Sequence, residues 1–93
     1  MEQLKKVRIK DKKAIEAARK PYCEYCGCSS TSIAYHVHHI KSKGSGGDDI
    51  PDNLINLCCI CHFKVHNGNI ARREIENVIK RRNLYNTRQP FAL

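Results

Sequence analysis

The sequence predicts a small α+β domain stapled by metal, and three observations predict it. Ninety-three residues with 41% hydrophobic and only 6% aromatic side chains, and no tryptophan, allow one thin apolar core. Six cysteines and five histidines are concentrated in that short chain, as fold-holding material for a domain with little else to hold it. A central β-branched run is flanked by stretches with helical spacing. No run approaches the ~18 apolar residues of a membrane span. The basic N-terminus has no apolar stretch of the kind a secretory signal needs, so the cytoplasm is the expected compartment.

The elements follow in order. Leu4 to Lys20 carries an imperfect apolar stripe (Leu4, Val7, Ala14, Ile15, Ala18) and predicts a helix that Pro21 ends. Tyr22 to Ser32 reads as a tight turn with Gly27 and a Ser/Thr cluster. Ile33 to Ile40 is rich in β-branched and ring side chains and predicts a strand. Lys41 to Asp52, with three glycines, two serines and paired aspartates, predicts a loop. Asn53 to Leu57 predicts a short return strand, and Cys58 opens a second turn that continues as a helix through His66. Asn67-Gly68 stops that helix. From Ile70, the set Ala71, Ile75, Val78 and Ile79 predicts a last helix to about Arg82, followed by a tail, Asn83–Leu93, with no clear period. One domain over 1–93 is expected: a basic N-terminal helix (1–20), a zinc-bound core (21–67) and a basic C-terminal helix and tail (68–93).

The net charge of +8 is unevenly placed. Residues 1–20 hold eight basic against three acidic side chains, and residues 70–93 hold six against two. The middle holds Lys41, Lys43 and Lys64 against Glu24, Asp48, Asp49 and Asp52. Cationic flanks around a nearly neutral centre suit a polyanion such as DNA or RNA. The same charges would also serve to keep two helices soluble.

Cys23-x2-Cys26 and Cys58-x2-Cys61 form two Cys pairs. Two intervening residues let a tight turn aim both sulfurs at one ion, and two such turns complete a tetrahedron. Zinc suits four thiolates and has no redox chemistry. Disulfides are disfavoured in a chain without an export signal. Cys28 and Cys59 are left over and are expected to pack as small apolar groups.

His62 and His66 lie four apart and so share one helix face, at the spacing for two imidazoles to hold one cation. His38 and His39 are adjacent on a strand and so point to opposite faces. One of them is left outside the metal's reach, and an unligated imidazole beside a metal is the usual proton acceptor near neutral pH. His36 falls outside these spacings and reads as a structural or surface residue.

His38-His39-Ile40, then Asn53-Leu54, then Cys61-His62 resembles the HNH endonuclease family. The stretch Cys23–His66 looks like its zinc-bearing branch, a ββα-metal (His-Me finger) core with a four-Cys zinc. The resemblance covers about half of the chain and leaves out the basic flanks. It implies that His39 is the general base and that Asn53 hydrogen-bonds across the loop to hold His39 in register. It further implies that His38 and His62 hold a catalytic divalent cation, with His66 matching a third ligand found in the colicin-nuclease branch. Expected products are 5′-phosphate and 3′-hydroxyl ends. Many members have Asp where this chain has His38. Three imidazoles without a carboxylate favour Mn, Ni, Co or Zn over Mg, which prefers oxygen. Asp48 or Asp49 could add an oxygen ligand, but Gly-Gly-Asp-Asp reads more simply as a turn.

Lys41, Lys43 and Lys64, with Arg72 and Arg73 further out, are the expected phosphate contacts, and Arg81 and Arg82 could extend that groove. No base-reading element is visible, so weak sequence dependence is expected. Three functions remain open: a metal-dependent DNA nuclease, nicking because one active site cuts one strand at a time; a non-catalytic zinc-dependent nucleic-acid-binding module; and a zinc-stapled protein-interaction domain. A homodimer is compatible with the sequence.

Overall fold

A computed structural model describes residues 8–88. Helix α1 (Lys12–Ala18), strand β1 (Tyr35–His39), strand β2 (Leu54–Cys58), helix α2 (Cys59–His66) and helix α3 (Arg72–Arg88) follow one another in that order. The fold is α+β, as the sequence predicts. The two strands form one antiparallel hairpin in which Tyr35 faces Cys58, Val37 faces Asn56 and His39 faces Leu54.

All five residues of β2 are buried, whereas β1 is only partly covered and no strand among the described residues pairs with its outer edge. Alternation sends Ile55 and Leu57 into a core with Cys23, Cys58, Cys61, Ile70, Ile75 and Ile79. That core is as thin as the composition implies. Ile75 and Ile79 come from α3, so its apolar stripe covers the hairpin, with Val78 packed beside it.

Two polar residues extend this cover to the first Cys turn. Asn56 is buried, and its Nδ2 donates to the carbonyls of Lys20 and Tyr22. Its own backbone N–H donates to Glu24 Oε1 at 2.8 Å, and Glu24 N–H returns a bond to Asn56 O. Arg82 of α3 donates to both carboxylate oxygens of Glu24 (2.9 and 3.2 Å) and to the carbonyls of Pro51 and Leu54. Arg82 is therefore an internal latch, in the wall of a cavity that Arg81 also lines.

Strand ends differ from expectation by one or two residues, and the helices differ as follows. Residues 8–11 are not helical, because Asp11, itself extended, caps α1: its side chain accepts from the N–H groups of Lys13 and Ala14. The upstream residues pair instead with the loop, Ile9 N donating to Asp48 and Asp49 N donating to Ile9 O. The part of the predicted helix before residue 8, with Leu4 and Val7, lies outside the described residues. At its other end α1 stops at Ala18, two residues early, since Arg19 is already extended ahead of Lys20-Pro21. Helix α3 runs on to Arg88, beyond the predicted Arg82, because the chain offers no stop signal before Pro90. Residues 89–93 of the tail lie outside the described residues.

The Lys41–Asp52 segment is a loop containing two short 3-10 turns, Lys43–Ser45 and Pro51–Asn53. Gly47 is obligatory in it: a Cβ there would sit 1.7 Å from the Lys41 carbonyl oxygen. No helix among the described residues is long and apolar enough to cross a membrane.

Asn56→Leu preserves size but strands the Lys20 and Tyr22 carbonyls, and should cost roughly 2–4 kcal/mol. The expected readout is a lower urea midpoint for the metal-loaded protein, with unchanged metal content; an unchanged midpoint would show that water replaces the lost donors.

Candidate functional site

Cys23, Cys26, Cys58 and Cys61 come together with their sulfurs all within 4.8 Å of one another. Each pair is shaped by the same local bond: Cys26 N–H points at Cys23 Sγ and Cys61 N–H at Cys58 Sγ, both at 3.4 Å. Cys58 ends β2 and also caps α2, so the second turn is the strand-to-helix junction itself. A tetrahedral ion with metal–sulfur bonds of about 2.3 Å requires sulfurs about 3.8 Å apart. Cys26 and Cys58 stand at 3.9 Å, so the thiols fit one such ion.

The acidities suit the same purpose. The Cys28 backbone N–H lowers the Cys26 thiol to about 6, despite some burial. Burial pushes Cys61 up, so that thiol needs a cation to ionise. The spare Cys28 is pushed up to about 11, chiefly by burial, and packs against the core as a neutral thiol. Cys59 is half-buried.

A second cluster lies between β1 and α2. Ring nitrogens of His38, His62 and His66 lie within 4.8 Å of one another, and the Nε2 atoms of His62 and His66 are 3.1 Å apart. Helix α2 sets two of them on one face, and β1 brings the third across. Burial, then the neighbouring imidazoles, lower His38 to about 4; burial likewise lowers His62. Neutral imidazoles offer their lone pairs at physiological pH, as a metal requires. His36, two residues before His38 on the same face of β1, stacks on His62 with centroids 4.9 Å apart. It joins this cluster, which its sequence spacing did not reveal.

His39 points the other way. Its Nε2 lies 2.7 Å from Asp49 Oδ1, with only 9% of the side chain exposed. Asp49 also accepts from Arg8 Nη2 at 2.8 Å and from Asp11 N at 2.9 Å. The His39 bond is the largest influence holding its carboxyl below the usual range. Asp49 is thus no simple turn residue, and its oxygens are engaged away from the three-histidine cluster. The only sequence signal for it is an acidic residue next to a glycine pair. Asn53 closes the loop behind His39. Its Oδ1 accepts from Lys41 N–H, and its Nδ2 donates to the carbonyls of Lys41 and Asp48.

The two histidine environments meet at the open edge of β1. A groove of about 290 Å³ is lined by His36, His39 and His62 together with Arg19, Lys43 and Tyr35. A larger cavity of about 610 Å³ lies between α1 and α3, where Ala14, Leu54, Val78 and Tyr85 make it chiefly apolar, and it holds none of the candidate ligands. Of the expected phosphate contacts, Lys43 lines the groove. Lys41 lies at a separate hollow with Asp48 and Asn53, and Lys64 and Arg73 are exposed on α2 and α3. Arg72 is exposed and paired with Glu76. Arg19 was not among the expected contacts.

Residues 23–68 match the family model described as HNH endonuclease. The chain is also 34% identical, over 85 residues, to the Type IV methyl-directed restriction enzyme EcoKMcrA of Escherichia coli (strain K12). That alignment covers 82% of this chain and 31% of the relative, so the chain spans about a third of the relative's length.

Stripping metal with a strong chelator should collapse the hairpin and α2 in one transition, because a structural ion of this type contributes on the order of 10 kcal/mol. Far-UV circular dichroism with metal analysis checks this. Cys23→Ser should reproduce the loss, while Cys28→Ser should keep both metal and helix signal.

Proposed function

The chain belongs to the HNH endonuclease family, and from that membership we propose that it is a metal-dependent nuclease unit hydrolysing DNA phosphodiester bonds. The observation that carries the reading is the division of two adjacent imidazoles. His38 lies among the imidazoles of α2, while His39 is held by a carboxylate, and the groove at the β1 edge reaches His39 and His62 alike.

In this reading Cys23, Cys26, Cys58 and Cys61 hold a structural zinc, and His38, His62 and His66 hold the catalytic cation. When bound, that cation supplies stabilisation of negative charge on the phosphoryl oxygens and on the departing 3′ oxygen. Its three imidazole ligands favour manganese, nickel, cobalt or zinc over magnesium. His39 takes the proton of the attacking water. Asn53, through Lys41 and Asp48, keeps the loop closed behind it. Lys43 and Arg19 meet phosphates along the groove, and Lys41, Lys64, Arg72 and Arg73 add diffuse, salt-sensitive attraction. The products are 5′-phosphate and 3′-hydroxyl ends.

One such site cuts one strand, so nicking is the elementary event. The groove lining is cationic and imidazole-rich, which supports cleavage with low sequence specificity. Methyl-directed restriction belongs to the relative's name, and a comparison of methylated with unmethylated plasmid asks whether any of that preference resides in this chain. Four thiols grouped at metal-binding distances support a reducing compartment such as the cytoplasm.

Supercoiled plasmid incubated with a panel of divalent metals tests the proposal. Nicked product should form faster with manganese or nickel than with magnesium. His39→Ala should lower the rate about 10²–10⁴-fold, while zinc content and DNA affinity stay within about twofold. Undiminished cleavage by that variant removes His39 as the base. A wild-type protein that binds DNA but cuts with no metal favours the non-catalytic module. Log affinity should also fall linearly with log salt.

A further inference from the structure

The catalytic reading uses His39 but leaves the buried carboxylate beside it without a task. Asp49 is ten residues away in sequence, on a loop that could have left it in solvent. Instead the chain turns back at Gly46, where φ is +86°, and passes Gly47 under the Lys41 carbonyl at a separation no side chain would allow. The turn delivers the carboxylate to the His39 ring, with 5% of the Asp49 side chain exposed.

We propose that Asp49 is the positioning residue of the general base, accepting the Nε2–H of His39 and so fixing the ring in one tautomer and one orientation. This rests on the reading of His39 as the base. An ionised carboxylate only accepts hydrogen bonds, so the nitrogen facing it must carry the proton. Oδ1 receives that N–H at 2.7 Å, and the free lone pair of the neutral ring is then left on Nδ1.

The carboxylate is itself held from two further directions. Arg8 Nη2 donates to Oδ1 and Asp11 N–H to Oδ2, so it cannot rotate away from the imidazole without breaking both. Coulomb attraction to Arg8 and the bond from Asp11 also keep it ionised. A carboxylate that served only to anchor residues 8–11 would be satisfied by those two donors. The third bond, to a ring that opens onto the groove, is what anchoring does not explain. Holding the acceptor nitrogen in one place removes the reorientation that would otherwise precede proton transfer.

The full chain, loaded with zinc and manganese, tests this with three variants assayed for plasmid nicking. Asp49→Asn keeps size but presents an amide that can donate to the ring, and should lower kcat about 10²-fold or more while KM and DNA affinity stay within about twofold. Arg8→Met removes the bonds to Asp49 and to the Gly47 carbonyl but leaves the Asp11 and His39 donors holding the carboxylate, and should stay within about threefold of wild type. His39→Ala separates the two claims. If it cuts normally, the base assignment falls and the positioning role with it. If it is inactive while Asp49→Asn cuts normally, the positioning role alone falls. Equal losses in Arg8→Met and Asp49→Asn would make Asp49 an anchor only, which overturns the proposal. Imidazole ¹⁵N chemical shifts of the wild-type zinc form give a readout independent of any variant's folding. His39 should show the Nε2–H tautomer, and an Nδ1–H tautomer would overturn the proposal.

Discussion

The four-thiol cluster is the constraint from which the rest of the structure takes its geometry. Cys58 is at once the last residue of β2 and the cap of α2, and its sulfur already receives the Cys61 N–H. Fixing Cys58 and Cys61 on one ion therefore fixes where α2 begins and how it is rotated. His62 follows Cys61 directly and His66 lies one turn on, so the phase of the thiol pair sets the direction of both imidazoles. The core of Ile55, Leu57, Ile70, Ile75 and Ile79 covers only part of the hairpin and supplies no comparable directional restraint. Helix α2 and its cap thus carry two of the four thiols and two of the three imidazoles.

The basic flanks are not simply a cationic surface. Arg82 is spent inside, on Glu24 and two backbone carbonyls, where it ties α3 to the first Cys turn. Its side chain is 19% exposed against 6% for Glu24, so breaking the pair would leave a largely buried carboxylate with only Lys20, at 3.6 Å, as counter-charge. Arg8 is engaged with Asp49 in the same way at the other end of the chain. Lys43 and Arg19, by contrast, line the groove, and the partner of Arg19 is the exposed Glu16 of α1, at 3.2 Å. Net charge located the flanks correctly, but only partner geometry separates latching arginines from cations facing the groove.

What was legible in the sequence follows the range of the interactions involved. The two Cys pairs and the His62/His66 face are short-range patterns, set by turn and helix geometry, and the chain spells them out directly. The alternation that parts His38 from His39 is equally local. Asp49, Glu24 and Asn56 were not legible, because each acts through a partner distant in the chain: Glu24 meets Arg82 across 58 residues and Asn56 reaches back 36 to Lys20. Before those partners are known, an aspartate after two glycines is only a turn and an asparagine in a strand only a poor strand former. The start of α1 was misread for a related reason. A weak apolar stripe outweighed Asp11, whose side chain closes the first turn and whose backbone N–H is taken by Asp49. His36 escaped because its stacking on His62 depends on how α2 crosses the strand.

The separation of the two adjacent histidines depends in the end on register. Pairing of His38 with Ile55 and His39 with Leu54 puts one ring over α2 and the other against the loop carboxylate. A slip by one residue would exchange every side chain between the faces, moving His39 toward the imidazole cluster and His38 toward Asp49. Two features resist such a slip. Strand β2 is buried on both faces and pinned by the Asn56 amide to the Lys20 and Tyr22 carbonyls, so it cannot shift to follow β1. At the other end Asn53 grips Lys41 through both its N–H and its carbonyl, immediately after the strand. The chemical difference between two identical side chains is therefore created by the hairpin, and it is the polar residues Asn53 and Asn56, not the histidines, that maintain it.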